Sequence, residues 1–354
     1  MKATFNTIRD IVDESHEVVQ VDHNTGDLDT PLNRVGYLLY NPHARPLLDT
    51  KADLRVPALP RSVASLKAFL QTRVGREVLA YSYLRADTGS TEIGKAIMAI
   101  LAERGEAAVM LSSPTIGRGV LDVNRPLDRA IDFPVPNAVR AELMRVYDTV
   151  RSVLRRTFAA IQPDFYRSTP KGVFQPHTMG SGDLTDVEGE RFEALTGSIK
   201  PTAEGYEDTN ATLAALEELS ALYDLMNNRR DRPRVDVLKS MVRMGSDARP
   251  VKVDGRIQLD VLPDRGGHCQ RLARELEAAG IPWAYDKPFP HVPSYPGSVL
   301  AQAAADADIP QGTLDVPRYL LQTDPGARVD TLTFQPDPER VKLIAQAVVR
   351  AFGS

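Results

Sequence analysis

One cysteine, Cys269, is all that the 354-residue chain contains, so no disulfide can close within it and no zinc site built on two or more thiolates is open to it. A bound metal would have to be held by His, Asp or Glu. Positive charge is also short: 43 Lys and Arg against 47 Asp and Glu leave a formal net charge of -4, which supplies no broad positive field for a nucleic acid. No apolar run approaches the ~20 residues of a membrane span, and the first residues, with Asp10, Asp13 and Glu14, lack the pattern of a secretory signal. The expectation is a cytoplasmic protein with neither nucleic acid nor membrane as partner. What is present, 42% hydrophobic and 25% charged residues, is ordinary globular composition in a chain long enough to bury a sizeable core. No internal repeat, low-complexity tract or linker divides it, so residues 1–354 read as one domain.

Short apolar runs alternate with helical patterns, the arrangement of a mixed, mostly parallel sheet with helices on both faces. The expected strands are Val18 to Val21, Val78 to Leu84, Ala107 to Leu111 and Val173 to Phe174. A helix should start near Ser90 or Thr91, bury Ile93, Ile97, Ile100 and Leu101, and end at Gly105. Another, capped by Asn137, carries Leu143, Val146, Tyr147, Val150, Val153, Leu154 and Phe158 at helical steps and delivers the chain to His177. The polar stretch from Gly180 to Asn210 has weak periodicity and reads as loop, the start of an insertion over about residues 180–250. It is followed by a helix with Leu213, Leu216, Leu219, Leu222 and Met226. Asp254-Gly255 marks a hairpin turn, and Asp337-Pro338 the start of the last helix.

Parallel α/β sheets place their sites at the carboxyl ends of strands. His23, Glu92 and His177 each follow an expected strand, and two imidazoles with a carboxylate make a catalytic zinc set that leaves a fourth position open. Strand-end position alone also suits surface or satisfied core residues. Asn124-Arg125 follows an apolar run and could grip a substrate carboxylate in bidentate fashion, with Arg118 over a reacting carbonyl; surface salt bridges are the plainer alternative. His16 and His43, in acidic or proline-flanked surroundings, are expected to be exposed. His268 follows a glycine pair and opens a helix, which suits capping or packing, or contact with substrate. Cys269 reads as a small buried apolar residue.

Taken together these segments resemble the N-formylglutamate amidohydrolase family. The resemblance rests on His23-Asn-Thr-Gly26, Asp87-Thr-Gly-Ser-Thr-Glu92, the Arg-x-x-x-Asp-x-Asn-Arg spacing of Arg118 to Arg125, Pro176-His177-Thr-Met179, Ala279 to Phe289, and Leu314-Asp315-Val-Pro-Arg318-Tyr319, spread in the family's order over about residues 17–325. It implies a zinc-carboxypeptidase-like fold, one zinc on His23, Glu92 and His177, a substrate carboxylate on Asn124 and Arg125, a carbonyl polarised by Arg118, and Asp315 in the place of the general base. The substrate would be a small carboxylate-bearing amide, N-formyl or N-acyl. Carboxypeptidase- or aspartoacylase-like hydrolysis, or a non-catalytic binding protein on the same fold, are the alternatives. The sequence departs from the family where Asp315 replaces a glutamate, and where His291 and Tyr295 stand in place of a Gly-Gly substrate loop, so that these two would line a reshaped pocket.

Overall fold

The computed structural model describes residues 5–352 apart from 16–17, 46, 56–58, 60, 113–116, 126, 128–129, 132, 162–171, 181, 183, 230–233, 238–240, 243–250, 254–255, 259–260, 263–266, 286–308 and 310. His16, His291 and Tyr295 lie outside the described residues.

The strands are β1 (Gln20–His23), β2 (Tyr37–Asn41), β3 (Ala108–Ser112), β4 (Gly172–Met179), β5 (Val235–Val237), β6 (Met241–Val242), β7 (Val251–Val253), β8 (Arg256–Gln258), β9 (Val261–Leu262), β10 (Trp283–Tyr285) and β11 (Gln311–Pro317). Seven of them form one sheet in the order β1-β3-β2-β4-β11-β5-β10, while β6 pairs with β9 and β7 with β8. The ribbon of β7 and β8 flanks Asp254-Gly255, where a hairpin was expected. Within the large sheet β3, β2, β4 and β11 run parallel; β1 is antiparallel to β3, and β5 is antiparallel to β11. This is the expected mixed, mostly parallel α/β architecture.

The helices are α1 (Ile8–Glu14), α2 (Ala64–Gln71), α3 (Arg73–Arg85), α4 (Ser90–Glu103), α5 (Asn137–Ile161), α6 (Asp186–Ser198), α7 (Thr209–Asn228), α8 (His268–Ala278) and α9 (Pro338–Phe352). Side chains on a strand alternate between faces, and β2 shows why both faces must be covered. Leu38 and Tyr40 enter one core with α2, α3, α5 and α7, whereas Tyr37 and Leu39 enter a second core with α4, α8 and α9. All five residues of β2 are buried. No helix among the described residues is long and apolar enough to cross a membrane.

Two expectations fail for identifiable reasons. Val78 to Leu84 is not a strand but the second half of α3, whose start is capped by Thr72 accepting from the Gly75 amide at 3.0 Å. Val78, Leu79, Tyr81, Ser82, Tyr83 and Leu84 are all buried, so this half of the helix shows no polar face; the exposed stripe of Arg73, Arg76 and Glu77 that marks its period lies ahead of the apolar run. Part of the polar stretch after Gly180 is helical. In α6 a capping box closes the first turn, with Glu188 Oε2 accepting from the Thr185 amide at 2.8 Å, yet no residue of the helix is buried, and so no hydrophobic period marks it.

Candidate functional site

Strands β2, β3, β4 and β11 end at one edge of the sheet, and the site is built there. On β4, His177 shares the face of Val173. Its register partner across the parallel pair with β11 is Asp315, so the two residues stand side by side. Two residues past the end of β2 comes His43, which was expected to be exposed and is instead 3% exposed. The chain between α3 and α4 folds back over it, with the Asp87 amide donating to the His43 carbonyl at 3.1 Å.

Asp87 Oδ2 thereby lies 3.0 Å from His43 Nδ1 and 2.9 Å from His177 Nδ1. One ligand atom from each of these three buried residues falls within 4.8 Å of the others, a group that could hold a metal ion. The second ring nitrogen of His43 meets Asp122 Oδ1 at 2.8 Å. Asp122 also accepts from the Asn124 amide at 3.0 Å and from Arg118 Nε at 3.1 Å, and pairs with Arg125 Nε at 3.2 Å. Arg118 reaches Asp87 Oδ1 with Nη1 at 3.3 Å, so one guanidinium ties the two carboxylates together.

The electrostatics follow from these contacts. Burial works against charge on Asp87, but His43, the hydrogen bonds from His177 and His43, and Arg118 hold its carboxyl well below the usual range. Burial likewise opposes Asp122, and His43, Arg118 and Arg125 outweigh it in the same downward direction. For His43, burial and Arg118 pull the imidazole down, yet Asp122 and Asp87 prevail and its pKa is raised. Asp315 goes the other way: burial raises it, Asp87 adds to the rise, and His177 with Arg118 only partly offsets it.

Backbone anchoring makes the Asp87 turn rigid. The Thr178 hydroxyl donates to the Thr88 carbonyl at 2.9 Å, Arg45 Nε donates to the Thr88 hydroxyl at 2.6 Å, and Arg318 donates to the Ala86 carbonyl. Gly89 sits at φ 97, a left-handed conformation, and a Cβ there would stand 2.7 Å from Leu321 Cδ1. Only glycine suits that position.

Of the residues singled out in the sequence, the structure brings together His177, Asp315, Arg118, Asn124 and Arg125. His23 is not among them. Because β1 runs antiparallel to β3, His23 pairs with Val109 near the start of that strand, at the edge opposite Ser112, and its Nδ1 lies 3.0 Å from the Thr25 hydroxyl. Glu92 belongs to the first turn of α4 and is not a member of the His43–Asp87–His177 group. Its Oε2 is buried without a hydrogen-bond partner among the described residues, and burial raises its pKa. His268 stacks on Phe352, ring centroids 5.6 Å apart at 12°, and Phe352 in turn packs against Gly172 and Gly312 at the starting ends of β4 and β11. It therefore belongs to the opposite edge of the sheet. We expect His23→Ala to leave the metal content of the purified protein unchanged; loss of metal would restore His23 to the ligand set.

His43, Asp87 and Asp122 were the residues missed as site members. A signal for His43 was present: Asn41-Pro42-His43 follows the apolar run Tyr37 to Tyr40 just as Gln175-Pro176-His177 follows Val173-Phe174.

No protein-family profile matches the chain, and no curated protein matches it in sequence. Among solved structures it is similar to a gene product of Agrobacterium tumefaciens, at 13% identity and TM-score 0.45, covering 96% of this chain and 94% of that one. It is also similar to an N-formylglutamate amidohydrolase from Ralstonia eutropha JMP134, at 14% identity and TM-score 0.43, covering 94% of this chain and 96% of that one. Likeness at this level fixes no activity, and the chemistry of the site stands on its own geometry.

Proposed function

We propose that the protein is a metal-dependent hydrolase of small carboxylate-bearing amides, N-formyl or N-acyl, with His43, Asp87 and His177 as ligands of one zinc ion. The observation that carries the proposal is the state of His43. Its two ring nitrogens each face a carboxylate, Asp87 at 3.0 Å and Asp122 at 2.8 Å. A neutral imidazole has one N–H to offer and cannot satisfy both, so the second carboxylate is met either by a second proton, in line with the raised pKa, or by a metal ion in that proton's place. A cation in place of the proton on Nδ1 resolves this, leaving a neutral ring that donates from Nε2 to Asp122. That is the carboxylate-histidine-metal arrangement by which outer residues orient a ligand. Two imidazoles and a carboxylate suit zinc and leave a position for water or substrate.

Bound there, such an ion supplies Lewis-acid polarisation of a carbonyl and lowers the pKa of water. Asp315, beside His177 and with its pKa raised by burial, accepts the proton of the attacking water and returns it to the leaving nitrogen. Arg125 and Asn124, both partly exposed at the rim, hold the substrate's carboxylate. Arg118 fixes the spacing of Asp87 and Asp122.

The test is to assay the zinc-loaded protein against a panel of N-formyl and N-acyl amino acids. Turnover is expected with at least one of them. Asp315→Asn should keep the metal and the fold while lowering kcat by about 100-fold or more, the scale on which a general base acts. Zinc-loaded protein that hydrolyses none of the panel would remove the hydrolase assignment, and an Asn variant as fast as the parent would remove Asp315 as the base.

A further inference from the structure

Two buried arginines flank the turn that presents Asp87, and they differ in one respect. Arg45 uses all three nitrogens: Nε on the Thr88 hydroxyl at 2.6 Å, Nη1 on the Leu332 carbonyl at 3.2 Å and Nη2 on the Thr331 carbonyl at 2.7 Å. Arg318, 2% exposed, donates from Nη2 to the Ala86 carbonyl, while its Nε and Nη1 meet no acceptor among the described residues. Buried donors left unmade are costly to a fold, more so on a charged group, and are retained where something outside the protein completes them. Burial lowers the Arg318 pKa to about 10, with Asp87 opposing and Arg118 adding, so the side chain remains a cation at neutral pH.

Its position points to what completes it. Arg318 follows β11 three residues after Asp315, and the carbonyl it grips belongs to the residue before Asp87. Arg118, by contrast, already directs Nε and Nη1 at Asp122 and Asp87. We propose that Arg318 is a ligand-binding residue of this site, whose unpartnered Nε and Nη1 receive a negatively charged oxygen of the molecule bound beside the His43–Asp87–His177 group. That oxygen can belong to a carboxylate the ligand brings with it, or to a carbonyl that gains charge as it is attacked. The binding arm of the test is independent of the hydrolase assignment; the turnover arm rests on it.

Arg318→Met removes the charge and keeps the length of the side chain, and Arg318→Lys keeps the charge while losing the planar donors. Both variants and the parent are titrated calorimetrically with acetate, and their zinc content and kinetics on the best amide of the panel are measured. A carboxylate source predicts that the substitution weakens acetate binding and raises KM by at least about tenfold at unchanged zinc content. A carbonyl source predicts unchanged acetate binding and KM, with kcat lowered by about 100-fold. Acetate affinity, KM and kcat all within about twofold of the parent overturn the proposal. Should no amide be turned over, the acetate titration decides alone, and equal affinity in parent and variant overturns it. If the Met variant shows no cooperative melt, the Lys variant is held to the same criteria.

Discussion

Zinc content is expected to fall from close to one equivalent to a small fraction of that when either His43 or His177 is replaced by alanine. Each imidazole supplies one of three donor atoms, and the group is buried, with no fourth His, Asp, Glu or Cys joining it among the described residues. Losing one ligand leaves two, and buried carboxylate and imidazole then satisfy each other by hydrogen bonding instead. The measurement is metal analysis after dialysis, with a melting curve to show that the variant is folded. The sharper of the two substitutions is His43→Ala, because its proline-flanked position suggested an exposed residue with no part in the site. Full zinc occupancy in that variant would sink the ligand set proposed here, and with it the tie to Asp122.

Asp122→Ala should be the most destabilising single change at the site. The carboxylate is 1% exposed and meets His43, Arg118, Arg125 and the Asn124 amide. Deleting it strands two guanidinium groups and takes the acceptor from His43 Nε2, and breaking one partner of a buried ion pair costs about 3–5 kcal/mol. Because Arg118 and Arg125 are 28% and 32% exposed and solvent can recover part of that loss, the lower end, about 3 kcal/mol, is expected. A urea titration reads it directly. Asp122→Asn keeps the shape and one acceptor, so it separates two roles. It should lose less stability than the alanine variant but weaken zinc binding by about 10- to 100-fold, as loss of a ligand's orienting partner does. Zinc affinity equal to the parent's would show that Asp122 holds the arginines and does not orient His43.

Much of the architecture could be read from the residues, and the failures share a cause. The length and period of α5 and the Asp337-Pro338 start of α9 are local signals, legible one residue at a time. His177 follows an apolar run that is a parallel strand of the central sheet, and Asp315 stands beside it on the neighbouring parallel strand. His23 also ends an apolar run, but strand direction is a property of the sheet. An antiparallel neighbour sends the end of β1 to the other edge, and nothing within Gln20 to His23 records that. His43 went unrecognised because β2 is apolar on both faces and its proline-flanked exit resembles a surface turn, whereas the fold closes the Asp87 turn over it. Asp87 and Asp122 become site residues only through contacts made across 44 and 79 positions of chain. Local pattern finds elements; which ends meet is decided by topology.

The turn from Ala86 to Ser90 is pinned at its Ala86 and Thr88 carbonyls, at the Asp87 amide and at the left-handed Gly89. Each of these restraints holds the backbone through contacts that need no bound ion. The conformational entropy of setting the Asp87 carboxylate between the two imidazoles is therefore lost when the chain folds, not when the site is filled. A preorganised site of this kind forfeits little freedom on binding, so the free energy of coordination appears almost whole as affinity.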